Sequence, residues 1–223
     1  MIDTITCQSA HARLHAWVPV RSLAPRHRER IAAHLLALDL HDRYFRFGHA
    51  ASDAQITKYV DTIDFSADEV LGIFNRRLQL VAMAHLAHAP MGKAEPSTAE
   101  FGVSVLPHTR GRGFGARLFE CAMLHARNRG IERLIIHALS ENVAMLKIAR
   151  NAGAIVARDG PESDATLTLP RDTLASHLGQ IVSNQAAEFD FHLKLRAMQV
   201  NGLVGAIGDV AGSLAKKADR TDH

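Results

Sequence analysis

One stretch decides the fold of this chain: Val105-Leu106-Pro107-His108-Thr109-Arg110-Gly111-Arg112-Gly113-Phe114-Gly115. A run typical of a strand, 99–105, leads into it, and a helical pattern, 114–129, leads out. The alternating glycines let successive backbone N–H groups curl into a concave nest. The start of the helix adds unpaired N–H donors and the positive end of the helix dipole. A strand, such a loop and a helix N-terminus together predict a site for a diphosphate.

The residues around the loop exclude two common phosphate-binding patterns. A Walker A loop ends in Gly-Lys-Ser/Thr, but here Gly115 is followed by Ala116 and Arg117. The dinucleotide fingerprint needs the spacing G-x-G-x-x-G, whereas this run reads G-x-G-x-G. Neither ATP nor a nicotinamide dinucleotide is therefore the predicted ligand.

The loop resembles the acetyl-CoA loop of the GNAT superfamily of N-acetyltransferases. In that family a hydrophobic strand ending in Val is followed, after four residues, by [R/Q]-x-x-G-x-[G/A] and a helix. The resemblance implies that the pyrophosphate is held by Arg110, Gly111, Arg112, Gly113, Phe114 and Gly115. It also implies that the pantetheine arm pairs with the backbone of Val103, Ser104 and Val105. An ordinary glycine-rich turn with solvated arginines is the alternative.

A second part of the family's pattern lies farther along the chain. Asn142 and Gly153 match it, so the resemblance implies that Asn142 contacts the coenzyme. Asn at this place also suits a helix N-cap. Ala149 stands where the family has a Tyr that protonates the leaving thiolate. The general acid is thus left without a candidate.

The base is expected on the strand before the loop. A lysine-like amine has a pKa of about 10.4, so at pH 7 only about one molecule in a few thousand is neutral. Acetyl transfer to such an amine therefore needs a base. Strand alternation places Glu100, Gly102 and Ser104 on one face. Glutamates at this position act as the base, usually through water, in some members of the family that the chain resembles. Glu100 is therefore the candidate catalytic residue, and a carboxylate paired with an early arginine is the alternative.

The acceptor side is less well specified. His85 is expected on the neighbouring strand as a further candidate for base or substrate contact. The family's fold places the rim of the acceptor site within 40–52, where Arg43, Tyr44 or Arg46 could contact a substrate. An aromatic packing residue with solvated arginines is the alternative. A small amine, an antibiotic, a peptide N-terminus and a protein lysine all stay open as acceptors.

Hydrophobic periodicity outlines the remaining elements. Helices are predicted from Pro25, from Asp53, and over 114–129 and 142–152; strands are predicted within 11–20 and over 70–74, 78–86, 101–106, 134–138, 154–157 and 165–169. This order resembles the GNAT fold, an α/β fold with a mixed, mostly antiparallel central sheet flanked by helices. We expect a GNAT N-acetyltransferase domain over 11–170, then a C-terminal helical extension and flexible tail over 171–223.

Composition restricts the classes of partner. The 223 residues have a net charge of only +3, and the early arginines lack the aromatic or recognition-helix pattern of nucleic-acid binding. Cys7 and Cys121 form no disulfide framework, and no histidine pair has the further ligands of a metal site. We expect neither a signal peptide nor a membrane span, and hence a cytoplasmic location.

Two functions follow as hypotheses. The first is an acetyl-CoA-dependent N-acetyltransferase, without a metal, in which a primary amine of a small molecule or peptide attacks directly in a ternary complex. The alternative is a catalytically weak or inactive acyl-CoA-binding sensor or scaffold that uses its C-terminal helix for a partner. The missing Tyr and the extension favour this alternative, and the extension is also compatible with a homodimer.

Overall fold

The computed structural model describes residues 18–88 and 97–170. The segment 89–96 and the helical extension predicted over 171–223 lie outside these residues, as does the first part of the strand predicted within 11–20.

Strands and helices follow one another in a mixed order along the described residues. They are β1 (Arg21–Ser22), α1 (Arg28–Leu36), α2 (Leu40–Phe47), α3 (Asp53–Thr62), β2 (Glu69–Phe74), β3 (Leu80–His88), β4 (Thr98–Val105), α4 (Phe114–Asn128), β5 (Arg133–Leu139), α5 (Val143–Asn151), β6 (Ile155–Asp159) and β7 (Glu162–Thr168). One-turn 3-10 helices, Pro25–His27 and Pro107–Thr109, precede α1 and follow β4.

The strands form a seven-stranded sheet in the order β1-β2-β3-β4-β5-β7-β6. Every neighbouring pair is antiparallel except β4 and β5, which run parallel. The expected α/β fold with a mixed, mostly antiparallel sheet flanked by helices is therefore confirmed. The parallel pair matters most for function, because the glycine loop follows directly from β4.

Alternate residues of β4 show which helices cover each face of the sheet. Phe101 packs edge-on against Phe119 of α4, with 5.0 Å between the ring centroids. Its neighbour Gly102 faces Arg46 of α2, and Ser104 faces His34 of α1. The helices α1 and α2 therefore cover one face at β4, and α4 covers the other.

Most predicted elements are confirmed, including the helices that begin near Pro25 and Asp53 and the closing strand pair. The prediction of a strand over 11–20 is wrong for its described residues, 18–20. Val20 is buried there, but backbone pairing begins only where Arg21 lies opposite Gly72 of β2. The helix α2 was not predicted at all.

Candidate active site

The glycine loop turns through two left-handed residues. Gly111 has a φ of 75° and Gly113 a φ of 77°, a region that side chains with a Cβ rarely adopt. Ahead of them the Thr109 hydroxyl donates to the Leu106 carbonyl at 2.9 Å, which anchors the incoming 3-10 turn. The loop is thus fixed where it leaves β4 and then curls into α4.

The N-terminus of α4 lacks a side-chain cap. Side-chain caps are present at α2 (Asp39), α3 (Ser52) and α5 (Asn142), whereas α1 continues from a 3-10 turn without one. The N-cap of α4 is Gly113, whose carbonyl accepts the first helical hydrogen bond from the Arg117 N–H at 3.0 Å. The N–H groups over 114–116 therefore lack an intrahelical acceptor and face the loop with the positive end of the dipole. This arrangement suits an anion such as a diphosphate.

Arg110 ties the loop to α2. Its guanidinium forms an ion pair with Asp42, and its Nε donates to the Val105 carbonyl at 3.3 Å. The Asp42 side chain is 6% exposed, whereas that of Arg110 is 48% exposed. Most of the guanidinium therefore stays open to a ligand while Asp42 fixes one edge of it. Asp42 carried no signal in the sequence, because the contact joins segments far apart along the chain.

The strands β4 and β5 separate beside the loop. They pair only over Thr98–Glu100 with Arg133–Ile135. Farther along β4, the Leu106 N–H donates to the Val81 carbonyl at 2.9 Å. By alternation, the backbone groups of Val103 and Val105 point away from β3 and into the gap beside β5. An extended ligand arm could pair with the backbone of both residues.

Ser104 is engaged elsewhere. Its backbone faces Met83 of β3, and its hydroxyl lies 2.8 Å from Nε2 of His34. Nδ1 of His34 lies 3.0 Å from the Leu80 carbonyl, so Nδ1 carries the proton and the serine hydroxyl donates to Nε2. Of the three predicted backbone contacts, only Val103 and Val105 have groups directed at the gap.

Glu100 lies at the last paired position of β4 and β5, where the two strands separate. Its side chain is exposed, and within residues 18–88 and 97–170 it forms neither an ion pair nor a hydrogen bond. The carboxylate is therefore available to a ligand at the head of the gap.

A chain of polar side chains crosses the α2 side of β4. Arg46 Nη2 donates to the Tyr59 hydroxyl at 2.7 Å, which lies 2.6 Å from Nδ1 of His85. Nε2 of His85 is 2.9 Å from an Asp68 carboxylate oxygen. Because β3 and β4 pair, His85 lies opposite Gly102, as expected for a strand beside that of Glu100.

The pKa shifts of His85 and Tyr59 indicate where the protons of these hydrogen-bonded side chains lie. Burial lowers the pKa of His85, although Asp68 opposes the shift, and burial raises the pKa of Tyr59. His85 is thus neutral and donates from Nε2 to Asp68, while the Tyr59 hydroxyl donates to Nδ1. Tyr59 and Asp68 were not singled out from the sequence, since no motif or periodicity joins them to His85.

Asn142 and Ala149 occupy the first position and the Tyr position of the second motif. Asn142 Oδ1 accepts a hydrogen bond from the Met145 N–H at 3.1 Å, so this side chain caps α5. Ala149 is 0% exposed and has no group that could donate a proton. Gly115 on α4 approaches Ile148 so closely that a Cβ there would lie 3.4 Å from its Cδ1, which links the loop helix to α5.

Two other kinds of site are absent from the part of the chain that the structure describes. No group of three or more His, Cys, Asp and Glu side chains is arranged there to hold a metal ion. Within the same residues, no helix has the length and apolar character needed to cross a membrane.

Comparison with known proteins agrees with this geometry. Residues 32–154, more than half of the chain, match the family model described as Acetyltransferase (GNAT) family. Comparison with curated proteins found no significant match.

Solved structures show the same fold. The GNAT domain of S. lividans PAT is 22% identical, with 67% of this chain and 89% of that chain covered and a TM-score of 0.57. The structure of yncA from Salmonella typhimurium, solved with its cofactor acetyl-CoA, is 14% identical, with 71% of this chain and 97% of that chain covered and a TM-score of 0.55. A ribosomal-protein-alanine N-acetyltransferase from Brucella melitensis is 16% identical, with 67% of this chain and 99% of that chain covered and a TM-score of 0.52. At these identities the likeness concerns the fold alone.

Proposed function

Because the chain belongs to the GNAT acetyltransferase family, we propose that it transfers an acetyl group from acetyl-CoA to a primary amine by direct attack in a ternary complex. The observation that carries the proposal is the uncapped N-terminus of α4, which lies behind a loop with left-handed glycines and beside the gap between β4 and β5. A diphosphate suits the first feature, and an extended amide-containing arm suits the second.

The residues of the chain divide the binding of acetyl-CoA between them. The pyrophosphate is held by the backbone of Gly111, Gly113, Phe114 and Gly115 and by the side chains of Arg110 and Arg112. Val103 and Val105 offer backbone groups to the pantetheine arm, and one of their N–H groups polarises the thioester carbonyl. Asn142 supports this side through the cap of α5. Acetyl-CoA supplies the acetyl group as a thioester.

Glu100 is the proposed base. An amine near neutral pH arrives almost entirely as an ammonium ion, so a proton has to leave before the nitrogen can attack. The exposed Glu100 carboxylate, at the point where β4 and β5 separate, accepts that proton through water. The leaving thiol has a pKa of about 8.5, so its thiolate departs without the general acid that Ala149 cannot provide.

Substitution of Gly113 tests the coenzyme site. Asp and Asn both tolerate the left-handed conformation at this position, so both variants should fold. Gly113→Asp adds a negative charge to the nest and should abolish binding of coenzyme A in calorimetry, while the neutral and isosteric Gly113→Asn retains measurable affinity. Equal affinities of Gly113→Asp and the wild type would exclude the loop as the pyrophosphate site.

Release of free thiol from acetyl-CoA tests the transfer itself. The wild type should release thiol in the presence of at least one amine in a broad panel, and Glu100→Gln should slow that release without changing the affinity for coenzyme A. Unaltered rates in Glu100→Gln at all pH values would remove Glu100 from the mechanism.

The buried Ala149 favours a second candidate, an acyl-CoA-binding protein that does not transfer. It predicts tight binding of acetyl-CoA with no thiol release from any amine. The calorimetric and thiol-release measurements together distinguish the two candidates.

A further inference from the structure

We propose that Arg46 binds the carboxylate of the acceptor, so that the acceptor is a small zwitterionic amine such as a free α-amino acid. The inference rests on the proposed function only for the identity of the acetyl donor. The binding site itself is inferred from the contacts of Arg46 and from its place over β4.

Arg46 has unused donors. Among the described residues, Nη2 is the one nitrogen of Arg46 with a hydrogen-bond partner, the Tyr59 hydroxyl. Nε is buried without a partner, and Nη1 has none among the residues that the structure describes. A guanidinium has five N–H donors in a planar fork, and a carboxylate is the group that such a fork binds through two parallel hydrogen bonds.

Arg46 also lacks a direct ion pair among the described residues. Its Cζ lies 5.1 Å and 5.4 Å from the centroids of the Phe47 and Tyr59 rings. The carboxylates of Asp68 and Glu100 act electrostatically on Tyr59 and His85, as Arg46 does, but neither forms an ion pair with Arg46. A ligand carboxylate hydrogen-bonded directly to the guanidinium would stabilise this partly buried group.

Neighbouring arginines are more fully engaged than Arg46. Arg43, three residues earlier on α2, forms four hydrogen bonds, to the carbonyls of Leu36, Leu38 and Ala51 and to the Asp53 carboxylate. Arg110, although partly open, has Asp42 as a direct counter-ion. The guanidinium of Arg46 is held in place, and among the described residues no carboxylate forms an ion pair with it.

Two features hold the guanidinium over β4. Tyr59 is aligned by His85, which is aligned in turn by Asp68, so the group that orients Arg46 is itself fixed. Gly102 leaves room for it, because a Cβ there would lie 2.6 Å from Arg46 Nη1. A rigid cation at this place loses little entropy when it binds a ligand.

The spacing of Gly102 and Glu100 along β4 fits a short acceptor. The two residues share one face of the strand and are two positions apart, so their Cα atoms are separated by roughly 7 Å. When the carboxylate of an α-amino acid binds Arg46 over Gly102, its amine is directed along the strand toward Glu100, where the two strands separate. A lysine side chain within a protein has no carboxylate so close to its amine.

Binding to protein saturated with coenzyme A tests this without turnover. Each of the L-α-amino acids and its carboxamide is titrated by calorimetry, and at least one acid should bind while its carboxamide binds roughly 10- to 100-fold more weakly, as expected for the loss of a charged hydrogen-bonded pair. Arg46→Met should lose the same factor for the acid and change the carboxamide little. Arg46→Lys, which keeps the charge but not the fork, should lie between them.

Matched variants control for damage to the fold. Arg76→Met makes the same substitution at an exposed arginine in the β2–β3 turn and should bind like the wild type. Tyr59→Phe removes the hydroxyl that orients Arg46 and should weaken the acid a few-fold, which gives a second reading if Arg46→Met does not fold. Thermal unfolding of each variant reports its integrity.

Three results would overturn the inference: no amino acid binds, carboxamides bind as tightly as acids, or Arg46→Met binds like the wild type. If amino acids bind through Arg46 but release no thiol from acetyl-CoA, the proposed transfer fails while the site stands. If only peptides or proteins accept the acetyl group and no free amino acid binds, the transfer stands and the site fails.

Discussion

His34 is held neutral inside the protein between α1 and the sheet. Its Nδ1–H donates to the Leu80 carbonyl and its Nε2 accepts from the Ser104 hydroxyl, and the residue is 2% exposed. Burial lowers its pKa from 6.5 to about 4, which the hydrogen bond to Leu80 only partly opposes. A proton on Nε2 would place a charge in the core and break the bond from Ser104.

The first prediction is that His34 makes folding depend on pH. In the unfolded chain the histidine has its ordinary pKa, so below pH 6.5 the unfolded state takes up a proton that the folded state does not. The free energy of unfolding is therefore complete above pH 6.5 and falls as the pH drops to about 4, by at most about 3 kcal/mol from this group.

Urea unfolding at pH 7 and pH 5 measures this for the wild type and for His34→Gln, which cannot titrate. The loss of stability between the two pH values should be clearly smaller in the variant. Burial also lowers the pKa of His85 and His88, but their contribution is common to both proteins. Identical losses in the two proteins would show that His34 is not the group responsible.

At the scale of elements, α5 depends on its first residue. Asn142 caps the helix through the Met145 N–H, and the same residue is a proposed contact of the coenzyme. Asn142→Ala should lower the free energy of unfolding by about 1 kcal/mol, because the Met145 N–H in the first turn of α5 loses its acceptor. Asn142→Asp retains the cap. Denaturant unfolding measures both variants.

Coenzyme affinity separates the two roles of Asn142. If the residue serves only as a cap, Asn142→Asp should bind coenzyme A like the wild type. Weaker binding in both variants, at unchanged stability of Asn142→Asp, would indicate direct contact with the ligand.

The helix α2 shows where periodicity fails. Its one buried residue is Asp42, whereas Leu40 is 70% and Tyr44 40% exposed. The element is attached to the rest of the protein by polar contacts, such as that of Asp42 with Arg110 and those of Arg43 with backbone carbonyls, and by Phe47, whose ring packs edge-on against Tyr59. A helix of eight residues with its best-buried side chain charged offers too few core-facing apolar positions to establish a period.

At the scale of the whole molecule, the ligand should stabilise the fold. The proposed coenzyme site joins β4, the loop and α4, and Arg110 extends it to α2. A ligand that binds only the folded state adds about 2.7 kcal/mol at 100 times its Kd, so acetyl-CoA should raise the Tm progressively with concentration.

Thermal unfolding over an acetyl-CoA titration measures the effect. Gly113→Asp should show no rise at any concentration, and Gly113→Asn a rise displaced to higher concentration. A rise in Gly113→Asp as large as that of the wild type would mean that the stabilising ligand sits elsewhere.

What the sequence by itself determined is local along the chain. The turn through Gly111 and Gly113, the cap at Asn142 and the spacing of apolar residues in α4 depend on neighbours a few positions away, so their chemistry is visible in the order of residues. The family pattern added the role expected for the loop.

Only the tertiary structure decided which distant residues meet. It diverts the Ser104 hydroxyl to His34 and joins Arg46 to Tyr59, His85 and Asp68. It also leaves Glu100, at the point where β4 and β5 separate, without a hydrogen bond or ion pair to any residue of 18–88 and 97–170. The physical reason is that such contacts arise from the packing of several helices on one sheet, which depends on the summed burial of the whole core and not on any short pattern.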